Sequence, residues 1–243
     1  MIILSIGMPR AGSGWYYNLM HDLVTASGGQ NARQIRSQFH LQSILTEVNC
    51  NIGALSLRRL SAVMIPSTLG KTFVIKAHAG PTPFARRLID HRQMKAAYIY
   101  RDPRDALLSA YDNGQRAIQK GRPNAFSHLV DFDAALEFMR EYVRISEAWL
   151  NLPGVLHTSY EDLVENYDLE ATRLAKFLEC SLESADIQAV IEQYRPGQGR
   201  QDQKGLHFNK GVRGRFREKL TPDQQATLAN AFGGYLQRLS YPI

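Results

Sequence analysis

Ile2-Ile3-Leu4-Ser5-Ile6-Gly7-Met8-Pro9-Arg10-Ala11-Gly12-Ser13-Gly14-Trp15 carries the chain from an apolar run, through a glycine-rich loop, into a segment of helical spacing. Ile2–Ile6 is short, apolar and followed by glycine, which predicts a buried strand. Trp15, Leu19 and Leu23 recur four residues apart and predict a helix from Trp15 to Ala26. Glycines in the loop let backbone amides turn toward one point, and the helix that follows adds the positive end of its dipole. Such a nest suits phosphate or sulfate oxygens, with Arg10 as a fixed cation and Ser13 as a hydroxyl. The spacing approaches the Gly-x4-Gly-Lys-Ser/Thr loop of nucleotide hydrolases, but Ser13 stands where that pattern needs lysine.

Working outward, Phe73–Ala77 and Ala96–Tyr100 read as further strands, and Val155–Thr158 as a weaker fourth. Helices fall between them. Asp102-Pro103 is an acidic N-cap followed by proline at the first helical position. Phe132, Leu136, Met139, Val143 and Trp149 mark a long amphipathic helix, and Glu161–Leu178 reads as another. Thr221-Pro222-Asp223-Gln224 is a capping box that opens the last helix. Strands alternating with helices predict an α/β domain over residues 1–243, its parallel central sheet covered on both faces. The region from Gln30 to Gly70 reads as irregular. Arg195–Gly214, rich in Gly, Gln, Arg and Lys, shows no period and is too long for a plain connection.

Two strand ends carry further chemistry. Lys76 and His78 close the second strand two residues apart, so both point to one face. In such sheets the site lies beyond the carboxyl ends of the strands, where a histidine can act as general base on an acceptor hydroxyl. The third strand runs into Arg101-Asp102-Pro103-Arg104-Asp105, with Ser109 and Tyr111 following on a helix; Arg101 there suits a phosphate, with Ser109 as hydroxyl partner.

Together these clusters resemble the sulfotransferases that use 3′-phosphoadenosine 5′-phosphosulfate, whose fold is a P-loop-like, three-layer α/β architecture. Pro9–Trp15 is similar to the family's Pro-Lys/Arg-Ser-Gly-Thr-Thr-Trp loop, and Lys76-Ala77-His78 to its Lys-Thr-His. Arg101–Asp105 with Ser109 and Tyr111 matches its third element, Tyr160-Glu161-Asp162 its Tyr-Glu-Asp, and Asn209-Lys210-Gly211-Val212-Arg213-Gly214 its Arg-Lys-Gly-x-x-Gly, all in the family's order. The resemblance implies that Arg10, Ala11, Gly12, Ser13 and Gly14 hold the 5′-phosphosulfate, with Arg10 bridging to the leaving oxygen. It implies that Arg101, Ser109, Lys210 and Gly211 hold the 3′-phosphate, and that Trp15, Tyr160 and Tyr194 border the adenine. It gives His78 the acceptor proton and places Lys76 near the sulfuryl group. No metal is implied: sulfuryl transfer is an in-line displacement helped by positioning and charge, and the group carries less charge than a phosphoryl. Arg10 stands for the lysine of the cytosolic members, Ala11 and Gly14 for a serine and a threonine, and Asn209 for an arginine that Arg200, Arg213 or Arg215 would replace. Pro222 and Ala226 depart from the cytosolic members' dimerisation motif.

Bulk properties fit an enzyme of this size. The 243 residues carry a net charge of +6, which favours anionic partners. The basic residues are scattered, so nucleic acid is not an expected partner. Ile2–Ile6 is too short for a signal peptide or a membrane span, and Cys50 and Cys180 form no ligand pattern, which points to a reducing, cytoplasmic setting. A P-loop phosphotransferase or kinase, and a non-catalytic nucleotide-binding module, stay open as alternatives. The acceptor, a small molecule or a glycan or lipid, is expected against the 30–70 region and the segment after Tyr111, with Phe39, Leu57, Phe126 and His128 near it. Arg33, Arg36, Arg58 and Arg59 would favour an acidic acceptor or serve as surface charges.

Overall fold

A computed structural model describes residues 1–197 and 213–243. Its first half runs β1 (Ile2–Gly7), α1 (Ser13–Ala26), α2 (Ala32–Gln38), α3 (Leu57–Thr68), β2 (Phe73–Ala77), α4 (Pro83–Asp90) and β3 (Met94–Tyr100). The second half runs α5 (Pro103–Gln119), α6 (Phe132–Leu150), β4 (Val155–Ser159), α7 (Tyr160–Glu165), α8 (Tyr167–Phe177), α9 (Ala185–Gln193), α10 (Arg215–Lys219) and α11 (Pro222–Arg238).

The four strands are all parallel and lie in the order β2-β1-β3-β4. Side chains alternate across a strand, and the cores follow that alternation. Ile2, Leu4 and Ile6 of β1 share one core with Phe73 and Ile75 of β2 and Tyr98 of β3, covered by α2, α3 and α4. Ile3, Val74, Ala97 and Ile99 face the opposite core, covered by α1, α8 and α9. A third cluster joins α5, α6 and α11 around Met8 and Ala11. The result is the three-layer α/β architecture that the alternating pattern predicts. Each fully buried leucine or isoleucine here contributes about 1.5–3 kcal/mol, so the sheet is a rigid frame for whatever stands at its edge.

The topology also fixes where that edge opens. The chain leaves β1 through α1 toward β2 on one side, and leaves β3 through α5 and α6 toward β4 on the other. Connections diverge between β1 and β3, leaving a crevice beyond their carboxyl ends. The Met8 N–H donates to the Ile99 carbonyl at 3.0 Å and holds the two strand ends together beneath it.

Two expectations need correction. Glu161–Leu178 is not one helix: α7 and α8 part at Asn166, whose backbone (φ −119°, ψ 41°) is not helical. The Asn166 N–H donates to the Asp162 carbonyl at 2.7 Å and its side-chain amide reaches the Asp162 carboxylate at 3.4 Å. Such local bonding by asparagine competes with helix continuation. The 30–70 region is not irregular throughout, since it contains α2, capped by Asn31, and α3, capped by Ser56. Only the stretch between them lacks a helix. It lies along β2, where the Lys76 N–H donates to the Cys50 carbonyl and the Ile52 N–H to the Lys76 carbonyl. Arg33, Arg36 and Arg59 donate to the carbonyls of Val48, Leu45 and Ile52 at 2.9, 2.7 and 2.6 Å. These arginines peg the loop rather than wait for an acidic acceptor.

Candidate active site

A cavity of about 380 Å³ opens in the crevice, inside the range of roughly 300–1,000 Å³ common for small-molecule sites. Its floor is the loop after β1. Helix α1 has no side-chain cap and no acidic residue in its first turn, so its positive end is unopposed. Gly12 occupies the N-cap in the left-handed region (φ 76°), and a Cβ there would lie 2.8 Å from the Tyr160 ring. Only glycine meets both demands. Ser13, Gly14 and Trp15 line the cavity above it. Ala11 does not. Its N–H donates to the Met8 carbonyl at 3.1 Å and its side chain is buried in the third core cluster, so it shapes the turn instead of facing a ligand.

Cations converge on this floor from separate strand ends. Arg10 donates through Nε to Ser109 Oγ at 3.1 Å, and its guanidinium lies 5.7 Å from the centre of the Phe126 ring. Arg101 donates to the Arg10 carbonyl at 3.3 Å and stacks over Tyr160 at 4.4 Å. The two arginines therefore share one cleft. Lys76 enters from β2 and is buried, and among the described residues no carboxylate pairs with it or with Arg10. Burial, then the nearby Arg10, lowers the Lys76 pKa to about 8. Burial followed by Arg116 and Arg101 also pulls Arg10 down. Cations that repel one another in a desolvated cleft stabilise a bound anion strongly.

His78 stands two residues beyond Lys76. Its Nδ1 lies 2.6 Å from the Gly7 carbonyl, which can only accept, so Nδ1 carries the proton and Nε2 is the bare base. Burial and Lys76 lower its pKa to about 4, against a small opposing effect of the Gly7 bond. The ring is neutral at pH 7. Behind it, the Trp149 indole donates to the Ala79 carbonyl at 3.0 Å and fixes the chain leaving β2.

Trp15 stacks on Tyr167 with centroids 6.0 Å apart and meets Tyr160 edge-on at 6.5 Å. The Trp15 indole donates to the Tyr194 carbonyl at 3.0 Å, and the Tyr194 hydroxyl donates to Asp22 at 2.5 Å. Tyr194 thus stands behind Trp15, off the cavity wall. Lys210 and Gly211, with Arg200 and Asn209, lie outside the described residues. Arg213 pairs with Glu165 and Arg215 with Asp112, at 2.5 and 2.8 Å.

The opposite wall was only partly foreseen. Phe126, Phe138 and Tyr142 form an aromatic side, with Phe138 and Tyr142 centroids 4.8 Å apart, and Thr46, Asn49 and Asn51 form a polar one. Of the residues expected near an acceptor, Phe126 is on the wall and His128 packs edge-on against Phe138 at 5.8 Å. Phe39 instead packs on the first core, and Leu57 is exposed. The four-residue spacing of Phe138 and Tyr142 on α6, at the margin of its core residues, is the sequence signal for that wall.

Among the described residues no group of three or more His, Cys, Asp or Glu is placed to hold a metal ion, and no helix is long and apolar enough to cross a membrane. The sulfotransferase domain family matches residues 2–240 of the chain. Solved structures share the fold. A mouse sulfotransferase complexed with PAP is 15% identical, with 97% of this chain and 84% of that one covered at a TM-score of 0.63. Retinol dehydratase in complex with androsterone and the inactive cofactor PAP is 18% identical, covering 97% and 80% at 0.60.

Proposed function

The chain belongs to the sulfotransferase family, and we propose that it moves a sulfuryl group from 3′-phosphoadenosine 5′-phosphosulfate to an acceptor hydroxyl or amine, in line, with His78 as general base. The observation that carries this reading is the convergence of Arg10, Lys76 and Arg101 with the uncapped start of α1 on one cavity that also holds an unprotonated His78 Nε2. The fit to the donor rests on the same features: a floor where a Cβ at Gly12 would strike Tyr160, and a buried Lys76 and an Arg10 that, among the described residues, no carboxylate pairs with. When bound, the donor supplies a sulfuryl group on an oxygen that leaves as phosphate.

The roles follow from position. Arg10, Ser13 and Gly14 hold the 5′ end, and Arg101 with Ser109 holds the 3′-phosphate. Trp15 and Tyr160 flank the base. His78 Nε2 takes the proton from the acceptor as its oxygen or nitrogen bonds to sulfur. Arg10 and Lys76 stabilise the charge that grows on the leaving side, the kind of preorganised electrostatic effect that dominates such catalysis. A neutral histidine of low pKa is a weak base by itself, but anions bound beside it raise its pKa toward the working range. We read residues 1–243 as one domain with a small-molecule acceptor, working in the cytoplasm, where Cys50 and Cys180, both free, keep their thiols.

The test is direct. With the labelled donor and a panel of phenols, alcohols and amines, the protein should transfer sulfate and release adenosine 3′,5′-bisphosphate, with and without a chelator. His78→Ala should cut turnover about 10²–10⁴-fold while leaving bisphosphate affinity unchanged. Phosphoryl transfer from ATP in place of sulfate transfer would replace this reading with the kinase one.

A further inference from the structure

Asp105 is buried at 3% exposure on the first turn of α5, yet none of the roles above uses it. Its carboxylate faces two ways. Toward the C-terminal part of the chain, Oδ2 accepts the Gly214 N–H at 2.6 Å and Oδ1 the Phe216 N–H at 3.2 Å. Gly214 is the N-cap of α10 and has no side chain to cap with, so Asp105 caps that helix from another element. Toward the cavity, Oδ2 lies 3.8 Å from Arg101 Nη2, one helical turn earlier in the chain. The same Arg101 guanidinium stacks on Tyr160 and donates to the Arg10 carbonyl.

The neighbouring carboxylates are engaged by other hydrogen-bond donors. Asp102 is engaged by Arg104, at 2.8 Å, and by the Arg104 N–H. Glu161 accepts from the Asp102 N–H and from the Tyr241 hydroxyl. Among the described residues, Asp105 is therefore the carboxylate in ion-pair range of Arg101. A long guanidinium that must meet a phosphate gains affinity when it is held in place beforehand. At 3.8 Å the contact is an ion pair longer than a hydrogen bond, so the Arg101 N–H groups are not committed to Asp105.

We infer that Asp105 is a positioning residue for nucleotide recognition: it pins α10 to α5 and, through the shared carboxylate, holds Arg101 aimed at the donor's 3′-phosphate. This rests on the reading of Arg101 given above. The consequence is selective. Loss of the Asp105 charge weakens recognition of the 3′-phosphate and leaves the 5′ end and the chemical step intact.

Titration of the full chain with adenosine 3′,5′-bisphosphate and with adenosine 5′-monophosphate separates the two ends. Asp105→Asn keeps one of the two oxygens that accept from α10 and sets an NH2 group against the other backbone N–H, so the melting temperature should fall. Its preference for the bisphosphate over the monophosphate should fall about five- to tenfold. Monophosphate affinity and kcat at saturating donor should hold. Asp105→Glu restores the charge and should return the preference toward wild type even if the longer side chain lowers the melting temperature. If Asp105→Asn does not fold, Asp105→Ser, which keeps one acceptor oxygen without the charge, decides by the same preference. An unchanged preference in Asp105→Asn, or equal loss of both nucleotides in step with melting temperature in both variants, overturns the inference and leaves a structural cap. Arg101→Ala is the control. A collapsed preference there with an intact one in Asp105→Asn sinks only the Asp105 role, whereas an intact preference in Arg101→Ala sinks the Arg101 assignment and this inference with it.

Discussion

The two halves of the cavity are built by different means. The half assigned above to the nucleotide consists of strand ends and helix starts: the loop into α1, the end of β2 at Lys76 and His78, and the passage from β3 into α5 at Arg101. The half assigned to the acceptor is carried by the loop before α3, the loop after α5 and the half-buried Phe138 and Tyr142 of α6. Gly114 of α5 shows how the second half is made. A Cβ there would come within 2.1 Å of the Phe126 carbonyl, so the loop bearing Phe126 packs directly on the helix backbone. The difference teaches that a regular frame fixes charge and direction, while loops laid on that frame fix shape.

Substitutions can break this division or sharpen it. The largest effect is expected for Arg10→Ala, which should lower kcat about 10²–10³-fold because Arg10 meets charge that develops only in the transition state. Near-normal single-turnover rates in that variant would remove Arg10 from the chemical step. Arg101→Ala comes next. It should weaken binding of adenosine 3′,5′-bisphosphate by about tenfold or more, as loss of a charge-assisted contact does, with a smaller change in kcat. Calorimetry showing unaltered affinity would contradict its placement.

Lys76 gives a pH signature. Its lowered pKa means that the ammonium is charged below about pH 8 and neutral above it in the free protein. The KM for the donor should therefore rise as pH passes through about 8. In Lys76→Arg, whose cation does not titrate there, KM should stay flat across the same interval. A parallel rise in both proteins would assign the alkaline limb to another group. The smallest effect is expected on the other half: Phe126→Ala should raise the KM for an aromatic acceptor severalfold, or about 1 kcal/mol of lost contact, and leave the KM for the donor alone. A matching rise in the donor KM would show that the halves are not separate.

The same division explains what could be read before the fold was known. Strand ends announce themselves locally, because an apolar run, a turn and a capped helix follow within a few residues. Phe73–Ala77 was placed to the residue, and the Asp102 cap is present, with its carboxylate accepting the Arg104 N–H at 2.9 Å. That Arg10, Lys76, His78, Arg101 and Ser109 share one cavity was legible for that reason. Ala11 and Tyr194 lie off the cavity wall, on partners remote in sequence: Ala11 on the third core cluster, Tyr194 on Asp22. Asn49 and Asn51 gave no signal, since they reach the wall on a stretch laid along β2 and pegged by arginine bonds to carbonyls, and nothing periodic marks such a path. The break at Asn166 was hidden because the apolar spacing continues across it.

The Gly7 carbonyl that receives the His78 Nδ1 proton has a consequence for the catalytic cycle. A peptide oxygen can orient that proton but cannot carry it away, so the imidazole has no rear exit. On the role proposed for His78, a proton acquired at Nε2 must depart through Nε2, the atom that received it. Recharging the base is then an event on the cavity side of the ring, where one nitrogen serves for both uptake and release.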